Sequence, residues 1–178
     1  MHEANDRRSD ITILAGSEVD ILADGSLDYD DEVLGLLDIV VASPHASLRQ
    51  DSATATERLL RAIHHPLVDI IGHPTGRIIG RRQGLEPDLG ALIEASLETR
   101  TALEINANSM RLDLRDTHVR AVAEAGGLIA IDTDTHKAEQ MDQLRYGILT
   151  ARRGWLRRSQ CVNAWSADEL RSWLGRNR

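Results

Sequence analysis

The sequence contains no phenylalanine, and aromatic residues make up only 3% of the chain, so a core must be built from Leu, Ile, Val and Ala. Cys161 is the only cysteine, which excludes an internal disulfide and fits a reducing compartment. No apolar run reaches the length of a membrane span, and the first residues lack the apolar core of a signal peptide. These absences predict a cytoplasmic protein that does not interact with a membrane.

The net charge of −7 argues against a surface that binds nucleic acid over its whole extent, because such surfaces are usually basic. A local site for phosphate is still compatible with this charge, since bound divalent cations reverse the local field. The basic residues form two clusters. The cluster from Arg77 to Arg82 follows His73 closely and suits either phosphate contact or a solvated surface. The cluster from Arg152 to Arg158 is typical of a helix C-terminus.

Three short apolar segments each lead into residue types that bind metal ions. Short runs that are apolar on both faces are typical of buried parallel strands. In barrel-like α/β folds the chemistry collects at the C-terminal ends of such strands, and a mixture of imidazole and carboxylate there suits Zn²⁺ or Mn²⁺. The segments are residues 39–44, followed by His45; residues 68–72, followed by His73; and residues 128–133, followed by Asp134 and His136.

Strands and helices alternate along the chain in about six strand–helix units, the last strand being predicted at residues 160–162. Such alternation predicts an α/β fold with a parallel sheet and right-handed crossovers, and the short strands favour a barrel. We expect residues 1–10 to be a polar tail or the end of a helix, and residues 11–178 to form one domain. Neither a Gly-rich dinucleotide fingerprint nor a phosphate-loop lysine motif occurs, so a nucleotide cofactor is not expected.

Several conspicuous residues have a structural explanation that needs no ligand. Asn106 and Asn108 are expected to cap a turn, and His118 is expected to be exposed on a helix. Ser166 and Glu169 have the spacing of a capping box, which predicts the start of a final helix. The three tryptophans are expected to form a small satellite core instead of a platform for base stacking. They are Trp155, Trp165 and Trp173.

Five motifs occur in order along the chain: GSEVDILADG (16–25), VASPH (41–45), GHPTGR (72–77), EINAN (104–108) and DTDTH (132–136). Together they resemble the C-terminal PHP domain (polymerase and histidinol phosphatase) of bacterial family X DNA polymerases. The similarity runs from about residue 11 to the end of the chain. The combination of motifs is specific, whereas any one of them alone would be a weak signal.

The resemblance implies a distorted, seven-fold, TIM-like β/α barrel that holds up to three metal ions, usually Mn²⁺ or Zn²⁺, and hydrolyses phosphoesters. In the polymerases this domain supplies 3′→5′ exonuclease activity. By matching motifs, Glu18 would bridge two metal ions, and His45 and His73 would complete one site with it. Asp134 would join Glu18 at another metal ion, so these two carboxylates are the expected catalytic residues. His136 would belong to a third site.

Phosphoester hydrolysis explains why these groups are needed. In an in-line displacement both the attacking and the leaving oxygen carry charge, and two neighbouring metal ions can stabilise both. A bridging carboxylate such as Glu18 fixes the spacing of the ions, and neutral imidazoles bind them without cancelling their charge. Arg77 is a candidate to hold a non-bridging phosphate oxygen through its guanidinium group.

The sequence departs from the family pattern at its start. The family opens with a strand that bears a His-x-His pair, followed later by another histidine motif, and neither is present here. His2 is the only upstream residue that could replace them. We therefore expect an N-terminally truncated, incomplete barrel with fewer than three metal ions, in which only Glu18, His45 and His73 form a full set of ligands.

The leading hypothesis is a metal-dependent phosphoesterase domain resembling the 3′-5′ exonuclease module, with a role in DNA repair, that is weak or inactive as this fragment. The alternative is a non-catalytic remnant or structural module with partial metal binding; a more distant one is a barrel metallohydrolase that acts on amides. Expected partners are DNA 3′ ends or small phosphoesters, and a missing N-terminal fragment or polymerase domain. A second copy of the chain is a further candidate, because an incomplete barrel leaves its first strand as an open edge.

Overall fold

Five parallel strands form the centre of the fold in a computed structural model, which describes residues 5–7 and 10–177. The strands are β1 (Gly16–Asp20), β2 (Ile39–Ser43), β3 (Ile70–Ile71), β4 (Ala102–Asn106) and β5 (Ile129–Asp132). They pair in chain order, so that each strand lies beside its predecessor, and β1 lies at one edge of the sheet. The predicted parallel α/β architecture is therefore confirmed, and sequential order is the arrangement expected for an arc of a β/α barrel.

Six α-helices connect and follow the strands: α1 (Asp31–Leu34), α2 (Ser52–Ile63), α3 (Leu89–Thr99), α4 (Asp116–Ala125), α5 (Leu144–Arg153) and α6 (Ala167–Leu174). Side-chain carboxylates of Asp30, Asp51 and Asp88 cap the first three by accepting an amide N–H three residues further on. Ser166 and Glu169 form the predicted capping box at the start of α6. Within the described part of the chain, no helix combines the length and apolarity that crossing a membrane requires.

The two faces of the sheet are buried in different ways. One face packs against the helices that connect the strands and forms the main core, through alternate strand residues such as Val40, Ala42 and Leu103. Successive strand residues point to opposite faces, so the residues that alternate with these core residues lie on the other side of the sheet. Ile70, Ala102 and Ala130 are examples. That second face is the one that also carries Glu18, Ser43 and Gly72 towards the ends of the strands.

Helix α6 covers part of this second face. Trp173 and Leu174 pack there with the strand residues Ile70, Ala102 and Ala130. The Trp173 indole N–H donates to the carbonyl of Arg100 at 2.8 Å, and its ring meets Trp165 edge to face, with centroids 5.9 Å apart. The satellite core predicted for the tryptophans therefore exists around these two residues.

Trp155 does not belong to that core. Its side chain is 70% exposed, and its ring lies beneath the guanidinium of Arg120 at 4.7 Å, so the prediction was wrong for this residue. Helix α5 ends at Arg153. Two residues later Trp155 has a left-handed backbone, and its ring lies at the surface.

A sixth strand at residues 160–162 is absent from the described structure, so this prediction was wrong. Two short 3₁₀ turns, Arg158–Gln160 and Val162–Ala164, flank Cys161, which forms a single bridge with Ile129. The physical reason is that a side chain replaces a strand: Asn163 accepts from the amide of Ile131 at 2.7 Å and donates to its carbonyl at 2.9 Å. The edge of β5 is thus satisfied without further strand pairing.

In the N-terminal region, residues 5 and 6 have helical backbone, and residues 1–4 and 8–9, with His2 among them, lie outside the described residues. Strand β1 begins at Gly16, and the backbone amides of Ile13 and Ala15 before it donate to side chains. The Asn5 amide, for example, bonds both the N–H and the carbonyl of Ile13.

His118 was expected to be exposed, but it is half buried on α4. Its Nδ1 atom is buried without a hydrogen-bond partner among the described residues. Burial, together with the charges of Arg115 and Arg77, lowers the pKa of His118 to about 4. The imidazole is therefore neutral at physiological pH.

Replacing Trp173 by Ala should lower the free energy of unfolding by about 3–5 kcal/mol, because a buried indole is lost together with its hydrogen bond and its contact with Trp165. Trp155→Ala is the matched control and should change it by no more than about 0.5 kcal/mol, since the ring is exposed. Urea denaturation followed by circular dichroism measures both values. Equal losses in the two variants would contradict the assignment of α6 as the cover of the sheet.

Acidification from about pH 7 to pH 5 should destabilise the native protein more than the His118→Gln variant. The pKa of His118 is about 4 in the folded chain against an ordinary value of 6.5, so the unfolded chain binds the proton first. Stability from this residue is thus present above pH 6.5 and declines as the pH falls towards 4. Urea unfolding at both pH values tests this, and an identical pH dependence in both proteins would refute it.

Candidate metal centre

Three predicted ligands meet at the ends of three adjacent strands. Glu18 lies in β1, His45 stands two residues beyond β2, and His73 stands two residues beyond β3. Their ligand-type atoms all lie within 4.8 Å of one another. Nε2 of His73 is 3.1 Å and Nε2 of His45 is 3.5 Å from the same carboxylate atom, Oε1 of Glu18. Both imidazoles therefore direct a ring nitrogen towards one point beside this carboxylate.

The burial of these groups fits a bound cation. His73 is only 1% exposed, and neither ring nitrogen is aligned for a hydrogen bond with any described protein group, although Nε2 is close to Glu18. A buried imidazole in this state is costly unless another ligand satisfies it. His45 is 39% exposed, so the same point is open to solvent on one side. Two imidazoles, one carboxylate and an open side form the donor set of catalytic zinc sites.

Gly72 lies against the side chains of Ser43 and Val41 beside the carboxylate of Glu18. A Cβ atom at this position would lie 2.2 Å from Oγ of Ser43 and 2.9 Å from the side chain of Val41. It would also lie 3.5 Å from Oε1 of Glu18. A larger residue there would have to displace the side chains of Ser43 and Val41, so the glycine directly before His73 leaves room for them beside the centre.

The carboxylate of Glu18 is ionised at every physiological pH. Its pKa is lowered from 4.5 to about 2, chiefly because His73 lies within hydrogen-bonding distance. The Ser43 hydroxyl and the charges of His73 and His45 act in the same direction, while partial burial opposes them. The centre therefore presents one fixed negative charge to a cation.

Asp20 also belongs to this centre, and the sequence analysis missed it. Its Oδ1 atom is in short contact with Nδ1 of His45, on the side of the ring opposite Glu18. The signal was available, because Glu18 and Asp20 are two residues apart in a strand and therefore lie on the same face. The backbone of Asp20 is held in turn by Asp28, whose carboxylate accepts its N–H at 2.9 Å.

Buried acids fasten the loop that carries His73, and these too were not foreseen. The carboxylate of Glu104 in β4 accepts the backbone N–H of His73, whose φ of +24° is unusual for a residue other than glycine. Burial, and then the neighbouring Asp132, raise the pKa of Glu104 well above its ordinary value. Asp113 accepts from the amide and hydroxyl of Thr75 at 3.1 and 2.9 Å, and burial raises its pKa.

Asp134 and His136 form a separate group after β5. Nδ1 of His136 lies 2.9 Å from the backbone carbonyl of Asp134, and the imidazole is exposed. The Asp134 carboxylate is 3.5 Å from the amide of Asn106 and 3.9 Å from the Arg111 guanidinium. Among the described residues, the cluster of metal-ligand atoms contains neither of them. Their assignment as metal ligands is still a prediction.

Beside this group, Arg77 and Asn108 lie on loops and Asn106 ends strand β4. Arg77 is half buried, and its Nε and Nη2 atoms donate to the carbonyls of Arg111 and Leu112, which fastens one loop to the other. A contact between Arg77 and phosphate stays a prediction. The capping role predicted for the asparagines is confirmed. The side chain of Asn106 accepts from the amide of Asn108 at 3.1 Å, and that of Asn108 accepts from the amide of Met110 at 3.0 Å.

The chain is similar to proteins of two kinds, although no protein-family model matches it. It is 48% identical over 165 residues to the DNA polymerase/3′-5′ exonuclease PolX of Bacillus subtilis, a match that covers 93% of this chain and 29% of that protein. It is 33% identical over 137 residues to a probable phosphatase of Shewanella sediminis, a match that covers 72% of this chain and 53% of that protein. It is 34% identical over 143 residues to the probable phosphatase YcdX of Shigella dysenteriae, a match that covers 75% of this chain and 56% of that protein. The chain thus spans less than a third of the polymerase and about half of each phosphatase.

His73→Ala should weaken the binding of Mn²⁺ and Zn²⁺ by at least about 100-fold, since losing a direct ligand costs more than losing one of its supporting partners. His64→Ala is the matched control, because His64 is exposed at the end of α2 and should leave the affinity unchanged. Calorimetric titration of chelator-treated protein measures the affinities, and elemental analysis the number of ions. Unaltered binding by His73→Ala, or three tightly held ions per native chain, would overturn our assignment.

Proposed function

We propose that this chain, which belongs to the family of PHP domains found in bacterial family X DNA polymerases, is a metal-dependent phosphoesterase domain. The observation that carries the proposal is the convergence of Glu18, His45 and His73 from three adjacent strand ends to within 4.8 Å. The names of its relatives, a 3′-5′ exonuclease and probable phosphatases, support hydrolysis of a phosphoester.

The donor set suits Mn²⁺ or Zn²⁺ as the cofactor. An ion bound there would polarise a phosphoryl oxygen and lower the pKa of a bound water to supply a nucleophile. The protein contributes the permanent charge of Glu18 and two imidazoles that are rigidly directed, one buried and one at the solvent-open side. Substrate would approach from the side of His45, because His73 is enclosed by its own loop.

Asp134 and His136 are proposed to complete further metal sites, with Glu18 as the bridging carboxylate and Asp134 as the second catalytic carboxylate. Support comes from position: the ends of all five parallel strands lie at one edge of the sheet, and in a distorted seven-fold barrel they would face one another. Arg77 is proposed to contact a substrate phosphate. The two kinds of relative support two substrate classes, DNA 3′ ends in a repair process and small phosphoesters.

One observation favours weak catalysis or none by this chain alone. The Asp134 carboxylate faces Asn106 and Arg111, so the described residues assemble only one complete set of three ligands. A single ion cannot stabilise both the attacking and the leaving oxygen of an in-line displacement as a pair of ions does. A non-catalytic module that binds metal is therefore our second candidate.

Further partners are proposed on the shape of the sheet. Strand β1 pairs only with β2 among the described strands, and Asp28 bonds the backbone of Asp20 on the other edge, so an added strand would pair with the part of that edge before Asp20. A polymerase domain, an N-terminal segment of the PHP domain or a second copy of the chain would each suit this edge. We propose a cytoplasmic location on the family relationship alone.

With Mn²⁺, the purified chain should hydrolyse a 3′-labelled DNA strand and p-nitrophenyl phosphate slowly or not at all. Any hydrolysis should be lost in His45→Ala, which removes a ligand, and retained in His64→Ala, which changes an exposed histidine outside the centre. Gel analysis of the DNA and absorbance of the released nitrophenol measure the two activities. Rapid cleavage that depends on His45 would contradict weak catalysis and would show that the centre is complete.

A further inference from the structure

The imidazole of His45 lies between two carboxylates of the same strand. Nδ1 contacts Oδ1 of Asp20, and Nε2 lies 3.5 Å from Oε1 of Glu18. The two acids are two residues apart on one face of β1, about 6.6 Å along the strand, so one carboxylate can lie at each side of a ring placed between them. Each ring nitrogen of His45 therefore has a different acidic neighbour.

The two contacts are not chemically equivalent. A neutral imidazole carries one proton, so one ring nitrogen donates and the other presents a lone pair. Asp20 can only accept while it is ionised, and its close contact requires the proton on Nδ1. The lone pair then lies on Nε2, the atom that faces Glu18. The buried ring of His73 is close by, with its centroid 5.0 Å from the centroid of the His45 ring.

A buried arginine fixes the backbone beside Asp20 and His45. Arg58 of α2 is only 1% exposed, and it bonds the backbone immediately beyond each member of the pair. Its Nη2 donates to the carbonyl of Ile21, next to Asp20, and its Nη1 donates at 2.9 Å to the carbonyl of Ala46, next to His45. One rigid, planar guanidinium group therefore sets the separation of the two loops.

We propose that Asp20 is a positioning residue of the metal centre. It holds His45 in the tautomer with the proton on Nδ1 and so directs the Nε2 lone pair at the ion-binding point beside Glu18. Carboxylate–histidine pairs of this kind orient metal ligands and raise their basicity. The inference rests on the proposed function for its purpose, but the state of the ring exists in the metal-free protein and can be measured there.

Long-range ¹H–¹⁵N spectroscopy of the metal-free protein tests the tautomer directly. At about pH 8.5, well above the ordinary imidazole pKa of about 6.5, the native protein should show His45 protonated on Nδ1. His45→Gln identifies the signal by its loss. Asp20→Ala should abolish the preference, and Asp20→Asn should retain it because the amide oxygen still accepts. Asp24→Ala is the matched control, since this exposed acid has its contacts with Ser26 and Arg61 instead of with His45.

Metal binding gives the second readout. Asp20→Ala should weaken Mn²⁺ and Zn²⁺ affinity by about 10–100-fold, Asp20→Asn by less, and Asp24→Ala not at all. A native ring protonated on Nε2, or one unchanged by Asp20→Ala, would overturn the proposal. Affinity unchanged in Asp20→Ala would do the same. If the native protein shows the expected tautomer but binds no metal, the proposed function fails, while the orienting contact stands.

Discussion

Parallel pairing of consecutive strands is the constraint on which the metal centre depends. Neighbouring strands lie about 4.8 Å apart, so side chains near adjacent C-terminal ends start close enough to reach a common ion. The register aligns Glu18 with Val41 and Val41 with Ile70, which places the loops bearing the two histidines beside the carboxylate. Slipping one strand by a single residue would turn Glu18 to the helical face and dismantle the centre.

Precision beyond the strand ends comes from buried polar groups in the loops. The loop after β3 is enclosed, and its amides at His73 and Thr75 find partners in Glu104 and Asp113. The loop after β2 is more exposed, and there the guanidinium of Arg58 fixes the backbone. In the first loop the buried acids satisfy backbone amides that are shielded from water, and in the second a buried guanidinium anchors the backbone of an exposed residue, Ala46.

The sequence was sufficient to identify three candidate ligands that the structure brings together, and insufficient to identify the residues that support them. His45 and His73 could be predicted because each follows an apolar run at the end of which parallel strands meet, and Glu18 could be predicted from the motif that resembles the PHP family. The role of Asp20 required knowing how the His45 ring turns, and Arg58 looks like any arginine on a helix until tertiary packing buries it. The false strand at residues 160–162 had suitable composition, but the side chain of Asn163 had already satisfied β5. The half-burial of His118 likewise depends on neighbours that are distant in the chain.

The cover provided by α6 has a consequence for the order in which the chain folds. Trp173 bonds Arg100, 73 residues earlier, and Arg176 bonds Asp69, 107 residues earlier, whereas β1, β2 and β3 follow one another closely. Contacts across longer separations cost more loop-closure entropy and form later. The three strand ends can therefore assemble while the opposite part of the sheet is still uncovered. The apolar face awaiting α6 would then be the surface most exposed to misassembly.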